Sequence, residues 1–155
     1  MGILNVTPDS FSDGGRYFSA EAAIEQAQRL VEEGADIIDL GAESTRPYGG
    51  NQEISAEIEL SRMLPVLEPL VKQLSVPISI DTYKAEVAEA ALQAGAHIIN
   101  DVWGLQRGAG MAAVAARHNV PVVVMHNQQE AAYTGDIMGS ICGFLRRSLD
   151  LAAAA

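Results

Sequence analysis

Short β-branched runs alternate along this chain with alanine-rich stretches of helical period. Ile3 to Val6 reads as a strand, and a polar, glycine-bearing loop follows from Thr7 to about Ser19. Ile24, Ala27, Leu30 and Val31 recur at helical spacing, and Gly34 is placed to end that helix. Ile37 to Leu40 forms the second strand, with a second loop from Gly41 to about Glu53. Leu60, Met63, Leu64, Leu67, Leu70, Val71 and Leu74 continue the helical period, and Pro65 and Pro69 are expected to split that stretch into two helical pieces. Ile78 to Ile80 is the third strand. Thr82 is expected to cap a helix carrying Val87, Ala88, Ala91 and Leu92, stopped at Gly95. Ile98 and Ile99 form the fourth strand, Met111 to His118 its short helix, and Val122 to Met125 the fifth strand. A last helix begins near Ile137. Its expected buried face is Ile137, Met138, Ile141, Cys142, Leu145 and Leu149, which makes Cys142 a small core residue rather than a reactive thiol.

A faint repeat supports this parsing: Gly34-Ala35-Asp36-Ile37-Ile38-Asp39 echoes Gly95-Ala96-His97-Ile98-Ile99-Asn100, and Val76-Pro77 and Val120-Pro121 introduce strands three and five. Alternating strands and helices with apolar strands mean parallel βα units. Five units of about 30 residues each suit a doubly wound sheet. They equally suit five-eighths of a TIM-type (β/α)8 barrel, which needs about 250 residues. Periodicity alone leaves both architectures open.

Composition narrows the class. The 155 residues are 48% hydrophobic and 19% charged, with twenty acidic against ten basic side chains and a net charge of −10. That is one domain, residues 1–155, able to bury a core and not a disordered chain. The single cysteine excludes a disulfide framework. The acidity disfavours nucleic acid or an anionic membrane as partner. No apolar run approaches the roughly 20 residues of a membrane span, and no signal peptide opens the chain. Met1-Gly2 is no myristoylation start, because Val6 stands where a hydroxyl is needed. The expectation is a soluble, cytoplasmic domain.

Chemistry in parallel α/β proteins collects at the carboxyl ends of the strands. Strand one delivers Asn5 there, strand two Asp39 and Glu43, and strand three Asp81. Strand four delivers Asn100 and Asp101, and strand five His126 and Asn127. Any one of these could merely cap a loop; five strands in succession suggest a mouth that accepts hydrogen bonds from a heterocycle rich in N–H donors. Arg46, beside Ser44 and Thr45, suits a phosphate-type anion or a surface ion pair. Gly108-Ala109-Gly110-Met111-Ala112-Ala113 imitates a dinucleotide fingerprint, but no acid ends the next strand. His97, His118 and His126 lie on different elements without zinc spacing, and His97, at a strand's entry, is read as structural. Trp103 could stack on a ligand or pack beside strand four.

At these residues a resemblance becomes specific. Gly2-Ile3-Leu4-Asn5-Val6-Thr7-Pro8-Asp9-Ser10-Phe11-Ser12-Asp13-Gly14-Gly15 is similar to the opening signature of the dihydropteroate synthase family. Asp36-Ile37-Ile38-Asp39-Leu40-Gly41-Ala42-Glu43-Ser44-Thr45-Arg46-Pro47 resembles its second signature. Ile80-Asp81-Thr82-Tyr83-Lys84, Ile99-Asn100-Asp101-Val102 and Val124-Met125-His126-Asn127 resemble its third to fifth strand ends, in order.

The resemblance implies a TIM-type barrel and a folate-pathway transferase inhibited by sulfonamides. Such an enzyme condenses 6-hydroxymethyl-7,8-dihydropterin pyrophosphate with 4-aminobenzoate to give 7,8-dihydropteroate and pyrophosphate. It implies Asp81, Asn100, Val102 and Met125 around the pterin, and Asn5 holding Mg²⁺ on the diphosphate. It places Thr45, Arg46, Pro47, Phe11, Ser12 and Asp13 around the aminobenzoate and diphosphate, with Asp81 and Arg46 carrying the chemistry. It also implies a homodimer for the intact family member. The family continues through three further βα units that bring another aspartate, a lysine and an Arg-x-His anion site. This chain is accordingly expected to be the first five units, its last helix incomplete, and its Leu105-Gln106-Arg107-Gly108 loop departs from the family's pattern. Two other readings remain at this stage. One is a pterin-binding fragment or scaffold without turnover. The other is a pterin-dependent methyltransferase domain, against which the Thr45-Arg46-Pro47 loop and the first loop speak.

Overall fold

The computed structural model describes residues 1–7, 20–43, 53–128, 133 and 135–155. Five strands and five helices alternate through them: β1 (Gly2–Asn5), α1 (Ala20–Glu32), β2 (Ile38–Gly41), α2 (Ala56–Gln73), β3 (Ile78–Asp81), α3 (Ala85–Gln93), β4 (Ile98–Asp101), α4 (Met111–His118), β5 (Val122–Val124) and α5 (Ile137–Ala154). All neighbouring strands are parallel, in the order β1-β2-β3-β4-β5. A doubly wound sheet reverses its strand order at a switch point. This sheet never does. Each helix from α1 to α4 packs on the next in sequence, as a single layer on one side of the sheet would require, so the barrel order holds and the doubly wound alternative falls.

Register divides the strands into two kinds of row. Leu4, Leu40, Ile80, Ile99 and Val122 stand side by side, and the first four are fully buried under the helices. Burying each such side chain contributes about 1.5–3 kcal/mol, so this row anchors the helix layer. One residue further along, Asn5, Gly41, Asp81, Asn100 and Val123 form the next row, pointing to the other face. That face is open at its edges: Ile3 is 66% and Val123 42% exposed.

The expected helix stops hold. Gly34 and Gly95 follow α1 and α3 with φ of +103° and +105°. At Gly95 a Cβ would also come within 2.8 Å of the Val71 Cγ1. Three expectations do not hold. First, α2 runs unbroken through Pro65 and Pro69. The prolines stand four apart, so both missing N–H groups fall on one side, the side of exposed Ser61 and Pro65 where water can serve the freed carbonyls. The opposite stripe, Met63, Val66, Leu67 and Leu70, is fully buried and seats the helix on the core.

Second, Thr82 does not cap α3. The cap is Lys84, and the Thr82 Oγ1 accepts from the Lys84 N–H at 3.2 Å, closing a tight turn before the helix. Third, α5 buries Phe144 and Ser148, while Ile137, Met138, Leu149 and Cys142 are exposed. Cys142 is therefore not a core residue. The helix is held by its other face: Gln106 Nε2 donates to the Phe144 carbonyl at 3.0 Å and to Ser148 Oγ at 2.9 Å, and the Phe144 ring meets His126 edge-on at 5.0 Å.

Candidate functional site

The second row of the sheet is the floor of the site. Asn5, Asp81 and Asn100 reach it from three strands, and Asp81 and Asn100 are paired in register on adjacent strands. Between Asn5 and Asp81 the row is interrupted by Gly41. A Cβ there would lie 3.4 Å from Asn5 Oδ1 and 3.5 Å from Asp81 Oδ2, so the bare backbone leaves a notch flanked by two oxygens. Below this row, Asp39 accepts from Asn100 Nδ2 at 3.0 Å.

Three buried oxygens have no hydrogen-bond partner among the described residues: Asp39 Oδ1, Ser79 Oγ and Asp81 Oδ1. Buried polar atoms without partners cost stability, and they gather where a ligand supplies the missing bonds. Burial, then the neighbouring charges of Asp39, Glu59, Asp101 and Glu43, push the Asp81 carboxyl up to about 7. Near neutral pH it can therefore hold a proton or accept N–H groups from a heterocycle. Donors that favour its charged form draw it towards the second state.

The rim is built from ion pairs that the sequence did not announce. Lys84 binds Glu43 and lies 2.6 Å from the buried Glu59. Burial alone would lower the lysine pKa, but its bonds to Glu43 and Glu59 and their charges raise it. Tyr83 Oη donates to Glu43 at 3.2 Å, and Arg62 donates to the Ala42 carbonyl at 3.1 Å. The exit of β2 is thus held from α2 and α3 at once. Lys84 is committed to that cluster rather than to a ligand. The signal available in the sequence was the rarity of lysine, with Lys72 the only other one.

Asp101 turns the chain after β4, accepting from the Trp103 and Leu105 N–H groups, each at 2.8 Å, with Leu105 at φ +65°. Burial raises its pKa against those two backbone bonds. The Arg107 guanidinium lies between the Tyr83 and Trp103 rings, 4.5 and 4.6 Å from their centroids, and pairs with Glu53. Trp103 is thereby engaged by the protein itself. His97 is structural as expected, its Nδ1 accepting from the Ile78 N–H at 3.2 Å.

Of the residues expected at the site, Asn5, Asp81 and Asn100 come together on the floor. Met125 follows the end of β5, 47% exposed, and Val102 is half-buried just past β4. Phe11, Ser12, Asp13, Thr45, Arg46 and Pro47 lie outside the described residues. Among the described residues no group of three His, Cys, Asp or Glu could hold a metal ion. The notch nevertheless fits Mg²⁺, which prefers one or two protein oxygens together with water and phosphate oxygens. Asn5 Oδ1 and Asp81 Oδ2 are oxygens of that kind.

Residues 1–155 match the family model described as pterin binding enzyme. A dihydropteroate synthase of Bacillus subtilis (strain 168) is 52% identical over 155 residues, covering 100% of this chain and 53% of the relative. The chain thus spans about half the length of the curated relatives it matches. A dihydropteroate synthase of Clostridium difficile, crystallised in the presence of pteroic acid, superposes with a TM-score of 0.92 at 50% identity, over 99% of this chain and 57% of the other. That of Xanthomonas albilineans, solved with 4-aminobenzoic acid, gives 0.91 at 46% identity, over 99% and 55%. The Yersinia pestis enzyme in a sulfonamide complex gives 0.87 at 43% identity, over 99% and 57%.

Proposed function

Because this chain belongs to the pterin binding enzyme family, we propose that it forms the pterin-holding part of a dihydropteroate synthase. The proposed reaction joins 6-hydroxymethyl-7,8-dihydropterin pyrophosphate to 4-aminobenzoate, releasing pyrophosphate. One observation carries this reading: Asp81 and Asn100 stand side by side above buried oxygens that lack donors, a surface made to receive the N–H groups of a fused nitrogen heterocycle. The relatives are named for this activity, and solved neighbours were crystallised with pteroic acid, 4-aminobenzoic acid and a sulfonamide.

The residue chemistry suits the reaction. Asp81 binds and orients the heterocycle, and its carboxylate favours positive charge growing on the pterin side as the carbon–oxygen bond breaks. Arg46 would stabilise the departing diphosphate, and Thr45 would join it in binding the diphosphate and aminobenzoate. Phe11 and Pro47 would wall the aminobenzoate, Ser12 would bind the aminobenzoate or diphosphate and Asp13 would help order the first loop, and sulfonamides would compete for that pocket. Asn5, beside the Gly41 notch, would hold Mg²⁺, which supplies counter-charge for the diphosphate. Bond breaking precedes attack by the aromatic amine, so no nucleophilic serine or cysteine is needed. A covalent enzyme adduct would count against this order. The reading also carries with it a cytoplasmic location and, as for the intact family member, a homodimer.

Calorimetry with the pterin pyrophosphate, Mg²⁺ and 4-aminobenzoate, together with product detection, tests the proposal. Saturable binding of the pterin pyrophosphate is the expected result. Binding without dihydropteroate assigns the chain the holding role alone, and no saturable binding overturns the reading.

A further inference from the structure

The hydrogen bond between Asp39 and Asn100 skips a strand. Asp39 lies on β2 and Asn100 on β4, with β3 between them, and Asp39 stands in register with the small, fully buried Ser79. Ser79 leaves room for the two longer side chains to meet over it, Asn100 Nδ2 to Asp39 Oδ2 at 3.0 Å. Asp39 is 5% exposed and sits one layer below the row that faces the mouth.

A side-chain amide has an acceptor end and a donor end, and the two are nearly the same shape. With nothing beneath it, Asn100 could present either end to a ligand. The Asp39 carboxylate only accepts, so it takes the NH₂ group. That leaves the Asn100 Oδ1, the other end of the same amide, for a donor at the mouth-facing row that Asn100 shares with Asp81. We propose that Asp39 is a positioning residue that fixes the Asn100 amide with its carbonyl oxygen towards the ligand, so that the site selects a heterocycle presenting an N–H at that point. The ligand in this statement rests on the pterin reading above; the locked amide does not. The second Asp39 oxygen, buried without a partner, remains able to take a further donor.

Two measurements separate these parts. In ¹⁵N-labelled protein without ligand, the Asn100 side-chain amide protons should exchange slowly, and Asp39→Leu, which keeps the branched shape and removes the acceptor, should abolish that protection. Fast exchange in the parent protein overturns the proposal even if the variant fails to fold. For binding, pterin itself (2-amino-4-oxopteridine) is titrated into the parent, Asp39→Leu, Asn100→Ala and the double variant. Asp39→Leu should weaken binding about tenfold, the size expected for a charge-assisted hydrogen bond. Added to Asn100→Ala, it should cost almost nothing more. Additive losses, or an unchanged affinity in Asp39→Leu, show that Asp39 does not act through Asn100. A parent protein with slow amide exchange but no pterin binding would defeat the proposed function and leave the positioning role standing.

Discussion

At the residue scale, Asp81 makes the molecule's ligand site a cost to its fold. Its carboxyl titrates near 7 in the folded protein against 3.8 for an ordinary aspartate. Between those values the folded state keeps a proton that the unfolded chain has released. The contribution is fully present below about pH 4 and is lost as pH rises through about 7. Asp101, raised by burial, acts with the same sign. Glu89, lowered to about 2 by His118 and Arg117, acts oppositely and only in acid. Asp81→Asn should therefore flatten the fall in melting temperature between pH 5 and pH 8. It should leave the variant more stable than the parent at pH 8, by on the order of a few kcal/mol at most. Equal slopes for parent and variant would show that Asp81 does not carry this titration.

At the element scale, the Lys84 cluster joins α2 and α3 to the exit of β2. Lys84→Met would strand Glu59, 1% exposed, beside Glu43, and should cost about 3–5 kcal/mol by chemical denaturation. Adding Glu59→Leu and Glu43→Gln should recover most of that loss, since the cost lies in unpaired buried charge. This scale also shows what the sequence could tell. Apolar periodicity located every strand and helix, and α4 falls on Met111–His118 as read, because short runs bounded by glycine and proline leave few choices. Periodicity could not say which stripe of α5 meets a neighbour, since that is decided by Gln106 and His126, from outside the helix, meeting Phe144. The prolines of α2 misled for the same reason: their tolerance depends on which side faces water. The site was legible at Asn5, Asp81 and Asn100, polar residues at the carboxyl ends of their strands. Lys84 and Asp39 were visible as residues, but not their partners, which lie 41 and 61 positions away.

For the whole molecule, an excess of acid is set against uncovered apolar groups. β1 and β5 are the outer strands of the sheet, and Ile3, Val123 and Met125 are exposed on or beside them, with Ile137, Met138 and Leu149 along α5. Unpaired strand edges and apolar patches favour association, while a net charge of −10 opposes it. Salt screens the second effect and not the first. The 155-residue chain should accordingly form larger species as concentration rises, and more readily at high ionic strength. Light scattering that reports a monomer at every concentration and salt level would contradict this. The two rows of the sheet carry a consequence for how the protein tolerates change. Residues that hold the fold and residues that meet the ligand occupy alternate letters of the same short strands. A substitution scan should show tolerance rising and falling with a period of two, one set of positions failing in stability and the other in binding. Deleting a single strand residue would exchange the two sets and lose both at once.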